Sequence, residues 1–289
     1  MSGPAPLETL YDAAAGPEIP LPPALAEIYG PLRMQLPEGL PYVISNYVQS
    51  LDGVVTLDSG KTAGGPISGH NPGDRAVMGI LRSIADAVIV GAGTLRSVPR
   101  HIWTAEYIYP DLAGDFRDLR SALGKPPHPL NVIVTAGGKL DPGSAVLKQT
   151  EVPALIVTTA NGAQNIGEAS AAIEVVAASG GADVTAQQIV SAVAEATNAS
   201  LFLLEAGPTL LGQFLAERLV DELFLTVAPQ IAGRDDPARR PGLVAGHTFA
   251  PEDPLWANLI SVRRAGDHLF LRYALPSQLA KQSPLARGL

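Results

Sequence analysis

Short, uninterrupted apolar runs recur along the chain: AVIVG (87–91), NVIVT (131–135), ALIVT (154–158), IEVVA (173–177), LFLLE (201–205) and ELFLTVAP (222–229). They are too short for core helices and lack the alternation of a strand with one wet face. They predict strands buried on both faces, as in parallel sheets. PYVISNYVQS (41–50) predicts an earlier strand leading into Leu51-Asp52-Gly53. Between strands the period changes. Val77, Ile80, Leu81 and Ile84 fall at helical spacing behind Pro72, which suits a first helical turn, and similar patterns cover 185–196 and 208–219. Strands alternating with helices predict a largely parallel sheet covered on both sides. Two alternating strands around a turn at 265–268 close the chain, so the sheet edge is expected to be antiparallel.

Two stretches break this rhythm. Residues 1–40, rich in Pro and Ala with a short helix expected at Pro23–Tyr29, read as an extension draped over a single domain spanning 41–275, with 276–289 as a tail. Residues 98–129 hold Trp103, Tyr107, Tyr109 and a helical pattern over 115–123 in which Phe116, Leu119 and Leu123 share a face. They read as an insertion near the ligand-binding edge, either a lid or a surface ornament.

Composition narrows the classes. With 289 residues, 46% of them hydrophobic, one large core is affordable, and no repeat or linker divides the chain. A formal charge of −8 without a dense Lys/Arg run argues against a nucleic-acid partner. Cysteine is absent, which removes disulfides, thiol nucleophiles and Cys-based zinc sites; no metal is expected. The first twenty residues carry no Lys or Arg, unlike a signal peptide, and the apolar runs fall short of the ~18 residues of a membrane span. A cytoplasmic protein with no membrane partner is expected.

The candidate chemistry lies at strand ends, where open α/β sheets bind ligands. Gly91, Gly93 and Thr94 follow the first buried run, and glycines there let backbone N–H groups approach a phosphate. A plain strand-to-helix turn accounts for the same residues. Glu205-Ala206-Gly207-Pro208-Thr209-Leu210 ends another buried run and opens a helix, whose N-terminus suits a pyrophosphate. An ordinary helix start with Thr209 as cap is the other reading. Glu205, at the tip of a buried strand, needs partners, and ribose hydroxyls or backbone N–H groups would serve. Thr135, the glycines after it and Lys139 suit a 2′-phosphate, or merely a solvated turn. Asp52 before Gly53 is either a turn former or a group that orients substrate and passes a proton.

Together these segments resemble one family. S-L-D-G (50–53), L-R-S-I-A-D-A-V-I-V-G-A-G-T (81–94), L-L-E-A-G-P-T-L-L-G-Q-F-L (203–215) and V-D-E-L-F-L-T-V-A-P-Q-I-A-G (220–233) stand in the order and spacing of the reductase domain of bacterial riboflavin biosynthesis. The resemblance spans roughly 41–275. It implies a three-layer α/β/α dihydrofolate-reductase-like fold with a mixed, mainly parallel sheet, NADPH as hydride donor, and a homodimer. It implies reduction of 5-amino-6-(5-phosphoribosylamino)uracil to the ribitylamino product by hydride transfer to C1′ of an imine. The cofactor residues carry over onto Gly91, Gly93, Thr94, Glu205, Gly207, Pro208, Thr209 and Leu210, and Thr135 falls at the adenosine end.

The departures bear on the substrate side. Without cysteine the deaminase zinc signature of bifunctional relatives cannot be present, so a reductase alone is expected. The family's E-G-G reads Glu205-Ala206-Gly207. A common lysine is Asn46, and the stretch after Thr94 reads L-R-S-V-P-R-H-I-W (95–103) in place of an Asp-x-Pro segment followed by a substrate-gripping Arg. Asp52 is the catalytic candidate. Asn46, Ser50, Ser68 and Arg75 are candidates for substrate, Ser68 and Arg75 for its phosphate, since Arg and a helix start both favour anions. A surface salt bridge is the plainer role for Arg75. Two other functions stay open: reduction of a pterin, dihydrofolate or another heterocycle, and a non-catalytic NADPH-binding module.

Overall fold

The β-branched runs pair with one another in the computed structural model, which describes residues 3–58, 64–166, 173–178, 180–197, 200–235 and 240–276. Among these residues, ten strands form one sheet: β1 (Glu8–Asp12), β2 (Tyr42–Gln49), β3 (Ala87–Gly91), β4 (Leu130–Thr135), β5 (Ala154–Thr159), β6 (Ile173–Ala178), β7 (Leu201–Leu204), β8 (Glu222–Val227), β9 (Asn258–Ala265) and β10 (His268–Ala274). Their spatial order is β1-β9-β10-β8-β2-β7-β3-β4-β5-β6. Neighbours from β8 through β6 run parallel, and β10, β9 and β1 continue the sheet antiparallel. The mixed, mainly parallel α/β sheet expected from the patterning is therefore what forms.

Helices cover both faces. Helix Pro72–Ile84 begins as its sequence dictates, with Pro72 in the first turn and the Asn71 side chain accepting from the Asp74 N–H at 3.1 Å. Its Ile80, Leu81 and Ile84 join Val88, Val90 and Leu203 in one core layer. Helices Ala186–Thr197 and Pro208–Ala216 place Ile189, Val193, Leu211 and Phe214 with Ile89, Phe202 and Leu204 in the other. Because β7 slots between β2 and β3, the carboxyl ends of these three strands lie side by side. The β2–β3 and β7–β8 connections leave over opposite faces, which opens a crevice at that point.

Two expectations change. Residues 98–129 are not a surface ornament, because Trp103, Tyr109, Phe116 and Leu119 are buried in the core layer beside helix Pro72–Ile84. Helix Ala113–Ala122 approaches so closely that a Cβ on Gly79 would lie 2.3 Å from Phe116 Cζ. Arg120 Nη1 donates to the carbonyls of Arg82, Ser83 and Ala85, at 3.3, 3.1 and 2.8 Å, satisfying the C-terminal end of the neighbouring helix with a cation. The N-terminal stretch is likewise built in. β1 pairs with β9, Arg263 Nη2 meets Asp12 Oδ2 at 2.8 Å, and the expected helix Pro23–Tyr29 buries Leu25, Ile28 and Tyr29. Every residue of β1 is exposed, so its sequence carries no alternation to read.

Candidate active site

The two glycine turns meet. β3 runs through Gly91 into helix Ala92–Ser97, and the adjacent β7 leads through Glu205-Ala206-Gly207 into helix Pro208–Ala216, the strands joined here by Glu205 N–H to Ile89 O at 3.0 Å. Gly91 and Gly207 have φ of −88° and −72°, which any residue adopts, so conformation does not require glycine. Space is the relevant property. A Cβ on Gly91 would meet only Leu210 Cδ2, at 3.9 Å, and one on Gly207 only Thr94 Oγ1, at 4.0 Å. Gly91, Thr94, Gly207 and Leu210 thus border one opening whose floor is backbone. Gly93 and Thr209 are exposed at its rim, and no side chain caps the helix that begins at Pro208. Its N-terminal dipole is left for another acceptor.

Thr135 ends β4, one strand further along, and is buried. The following turn is braced from β5 and the next helix: Thr159 Oγ1 donates to Ala136 O at 2.8 Å and Asn165 Nδ2 to Gly137 O at 3.0 Å. Gly138, at φ +65°, would drive a Cβ to 1.9 Å from Gly162 O, so only glycine fits, while Gly137 faces open space and Lys139 is exposed.

Glu205 has a protein partner that the sequence reading missed. Arg82, in the last turn of helix Pro72–Ile84, donates from Nε at 3.0 Å and Nη2 at 2.7 Å to Glu205 Oε2. Both side chains are buried, at 2% and 8% exposure, which makes this a desolvated ion pair. Glu205 Oε1 is buried without a protein donor. Tyr47, on β2, has its phenol pushed up by burial and by the neighbouring Glu205 charge. In the sequence, the signal for this pair is a cation between Leu81 and Ser83 on an apolar-patterned helix, with a carboxylate at the tip of a buried strand elsewhere.

Most of the substrate-side candidates are held by protein partners. Ser50 is buried, its Oγ donating to Asp52 Oδ1 at 2.6 Å and accepting from Val54 N–H at 2.9 Å. Asp52 is a turn anchor: its carboxylate also accepts from the N–H groups of Ala232 at 3.0 Å and Gly233 at 2.8 Å. The Ser50 hydroxyl and these amides hold its carboxyl down to about 2, which suits a fixed anion and opposes the proton-passing role expected for it. Asn46 lines a void of about 10 Å³ with Tyr29, Val77, Phe224 and Phe270, between sheet and helix. Ser68 is buried, donates to Gly65 O at 3.1 Å and hydrogen-bonds the buried Asp74, whose carboxyl burial pushes up. Arg75 donates twice to Ile108 O, from Nε at 2.9 Å and Nη2 at 2.6 Å, and lies over the Tyr109 ring at 5.7 Å. Arg75 thus braces the 105–109 segment through two of its three guanidinium nitrogens.

Comparison with known proteins agrees with this architecture. The family model of the RibD C-terminal domain matches residues 41–262. A 2,5-diamino-6-ribosylamino-4(3H)-pyrimidinone 5′-phosphate reductase of Archaeoglobus fulgidus is 26% identical over 198 residues, 68% of this chain and 84% of the relative. A pyrimidine reductase-like protein of Corynebacterium diphtheriae superposes with a TM-score of 0.61 at 22% identity, covering 81% of this chain and 92% of its own. RibD of Acinetobacter baumannii superposes with a TM-score of 0.60 at 20% identity, covering 82% of this chain and 59% of the longer one. A family match over residues 41–262, most of the chain, means that this protein belongs to the RibD C-terminal domain family of riboflavin-pathway pyrimidine reductases.

Proposed function

We propose that the chain is an NADPH-dependent reductase of 5-amino-6-(5-phosphoribosylamino)uracil or a close ribosylamino-pyrimidine, working as a homodimer. The observation that carries the cofactor assignment is the opening between Gly91-Thr94 and Gly207-Leu210, which has no Cβ on its floor and an uncapped nine-residue helix behind it. Its residues fit a dinucleotide. Backbone N–H groups at Gly91, Gly93 and Gly207 can reach a diphosphate, Thr94 and Thr209 add hydroxyls, and Pro208 and Leu210 present apolar surface. Thr135 and the braced 136–138 turn, with Lys139, suit the adenosine end. Glu205 Oε1, buried and without a protein donor, suits a ligand hydroxyl.

Bound NADPH would supply hydride. The chain's part is placement: it holds donor and acceptor carbons together where water is excluded. The ribosylamine ring opens to an imine, C1′ gains the hydride and the nitrogen gains a proton, giving the ribitylamine. Asp52, held by three donors, serves this by tying the turn after β2 to residues 232–233. The relative's name supports a phosphorylated ribosylamino-pyrimidine as substrate. One observation favours a second reading: Arg75 is engaged by Ile108 O, and Ser68 stands beside Asp74, so neither offers a ready phosphate seat. A dephosphorylated ribosylamino-pyrimidine or another imine-bearing heterocycle follows from that.

Calorimetric titration with NADPH, then turnover followed by NADPH absorbance, tests both. Oxidation with the phosphorylated pyrimidine supports the first reading, and oxidation with only the dephosphorylated compound, a dihydropterin or dihydrofolate supports the second. Absence of NADPH binding refutes the cofactor assignment, and binding without turnover of any of these leaves the chain as a binding module.

A further inference from the structure

Arg82 holds Glu205 from one side and is itself held from the other. Its Nη1 donates to Thr104 O at 3.0 Å and meets His101 Nε2 at 3.1 Å. A guanidinium only donates, so Nε2 accepts, and the imidazole is neutral with its proton on Nδ1. Burial, then the Arg82 charge, pushes the imidazolium down to about 2. The ring is wedged between Trp103 and Tyr107, with centroids 5.0 and 4.5 Å away. Trp103 in turn is clamped by Asn131 of β4, whose Oδ1 accepts from Trp103 N–H at 2.9 Å and whose Nδ2 donates to Trp103 O at 3.1 Å. A continuous chain of contacts therefore runs from β4 through 101–104 and Arg82 to the Glu205 carboxylate.

We propose that His101 and Arg82 are positioning residues of the cofactor site, fixing Glu205 so that Oε2 is consumed by Arg82 and Oε1 alone is offered to a ligand hydroxyl. The segment that interrupts the family pattern after Thr94 thereby contributes to ligand binding without touching the ligand. This inference rests on the reading of the crevice as an NADPH site. Loss of the His101 acceptor leaves one buried Arg82 N–H unsatisfied, and the guanidinium must shift to find a new partner. The shift carries Glu205 with it.

A double-mutant cycle separates this from a plain core role. His101→Phe should raise the NADPH Kd on the order of tenfold, a cost comparable to one lost hydrogen bond to a charged group. His101→Gln, which restores an acceptor, should recover most of that loss. In a Glu205→Gln background, the His101→Phe change should alter Kd by less than about twofold, because the group it acts through is already blunted. Equal losses in both backgrounds, tracking a fall in Tm, would show a structural histidine and overturn the inference. A second readout needs no ligand: nitrogen NMR should find His101 unprotonated at Nε2 throughout the range of roughly pH 5 to 8 where an ordinary histidine titrates. Titration inside that range overturns the proposed geometry. A wild-type protein that fails to bind NADPH overturns the parent reading and this inference with it. Normal NADPH binding that His101→Phe leaves unchanged overturns the inference alone.

Discussion

Gly207→Ala offers the sharpest separation of binding from folding. In the unliganded chain the new methyl meets only Thr94 Oγ1, at 4.0 Å, and φ of −72° accommodates alanine. The folding cost is then that of replacing glycine by alanine at a helix N-cap, about 0.5–1 kcal/mol. Against a phosphate packed on that backbone, however, the same methyl occupies the space the oxygens need. Displacing the group breaks at least one charge-assisted N–H contact, worth roughly 1.5–3 kcal/mol, or about 10- to 150-fold in affinity. Gly91→Ala, 3.9 Å from Leu210 Cδ2, should behave alike. Calorimetric titration with NADPH reads the affinity, and urea denaturation of the same samples reads the stability. Unchanged affinity in a folded Gly207→Ala protein would remove the turn from the site. Loss of affinity in proportion to lost stability would refute the claim that space is why glycine stands there.

Further outcomes follow from the packing and the buried charges. Arg82→Met should destabilise by about 3–5 kcal/mol because it strands the buried Glu205 carboxylate, whereas Arg82→Met with Glu205→Leu should cost far less; equal losses in urea melts would contradict the ion-pair account. Phe116→Ala should cost about 3–5 kcal/mol, and Gly79→Ala about 1–3 kcal/mol by pushing into the Phe116 ring, with Phe116→Leu relieving the second; additive costs by denaturation would argue against direct contact. Asp52 has a folded-state pKa near 2, below its ordinary 3.8, so the stability it adds is present above about pH 4 and lost as pH falls toward 2. The stability difference between wild type and Asp52→Asn should shrink over that window and stay flat above it; a difference insensitive to acid would show that the carboxylate's charge is irrelevant. Light scattering should give twice the 30.0 kDa chain mass, and a concentration-independent monomer would rule out the dimer.

Most strands were legible in the chain because a strand buried on both faces must be apolar at every position, although β6, read the same way from IEVVA, lies at the sheet edge with none of its residues buried. AVIVG, NVIVT and ALIVT have no other stable place than the middle of a covered sheet. The helix at Pro72–Ile84 announced itself through its cap, its proline and its apolar stripe. The glycine turns were legible too, since bare backbone after a buried strand is a local property. What the chain could not disclose is where charges go once side chains converge from distant positions. Arg82 and Glu205 are separated by 123 residues, and their pairing is a product of β7 sliding between β2 and β3. Arg75 reads locally as an anion-seeking residue at a helix start, yet Ile108 O, delivered by the 98–129 limb, claims it. Asp52 reads as a possible acid because its donors at Ala232 and Gly233 arrive from the far end of the chain. Period and turn chemistry are short-range and so belong to the sequence itself. The partners that decide whether a buried charge binds a ligand or braces the fold are long-range, and only the tertiary structure supplies them.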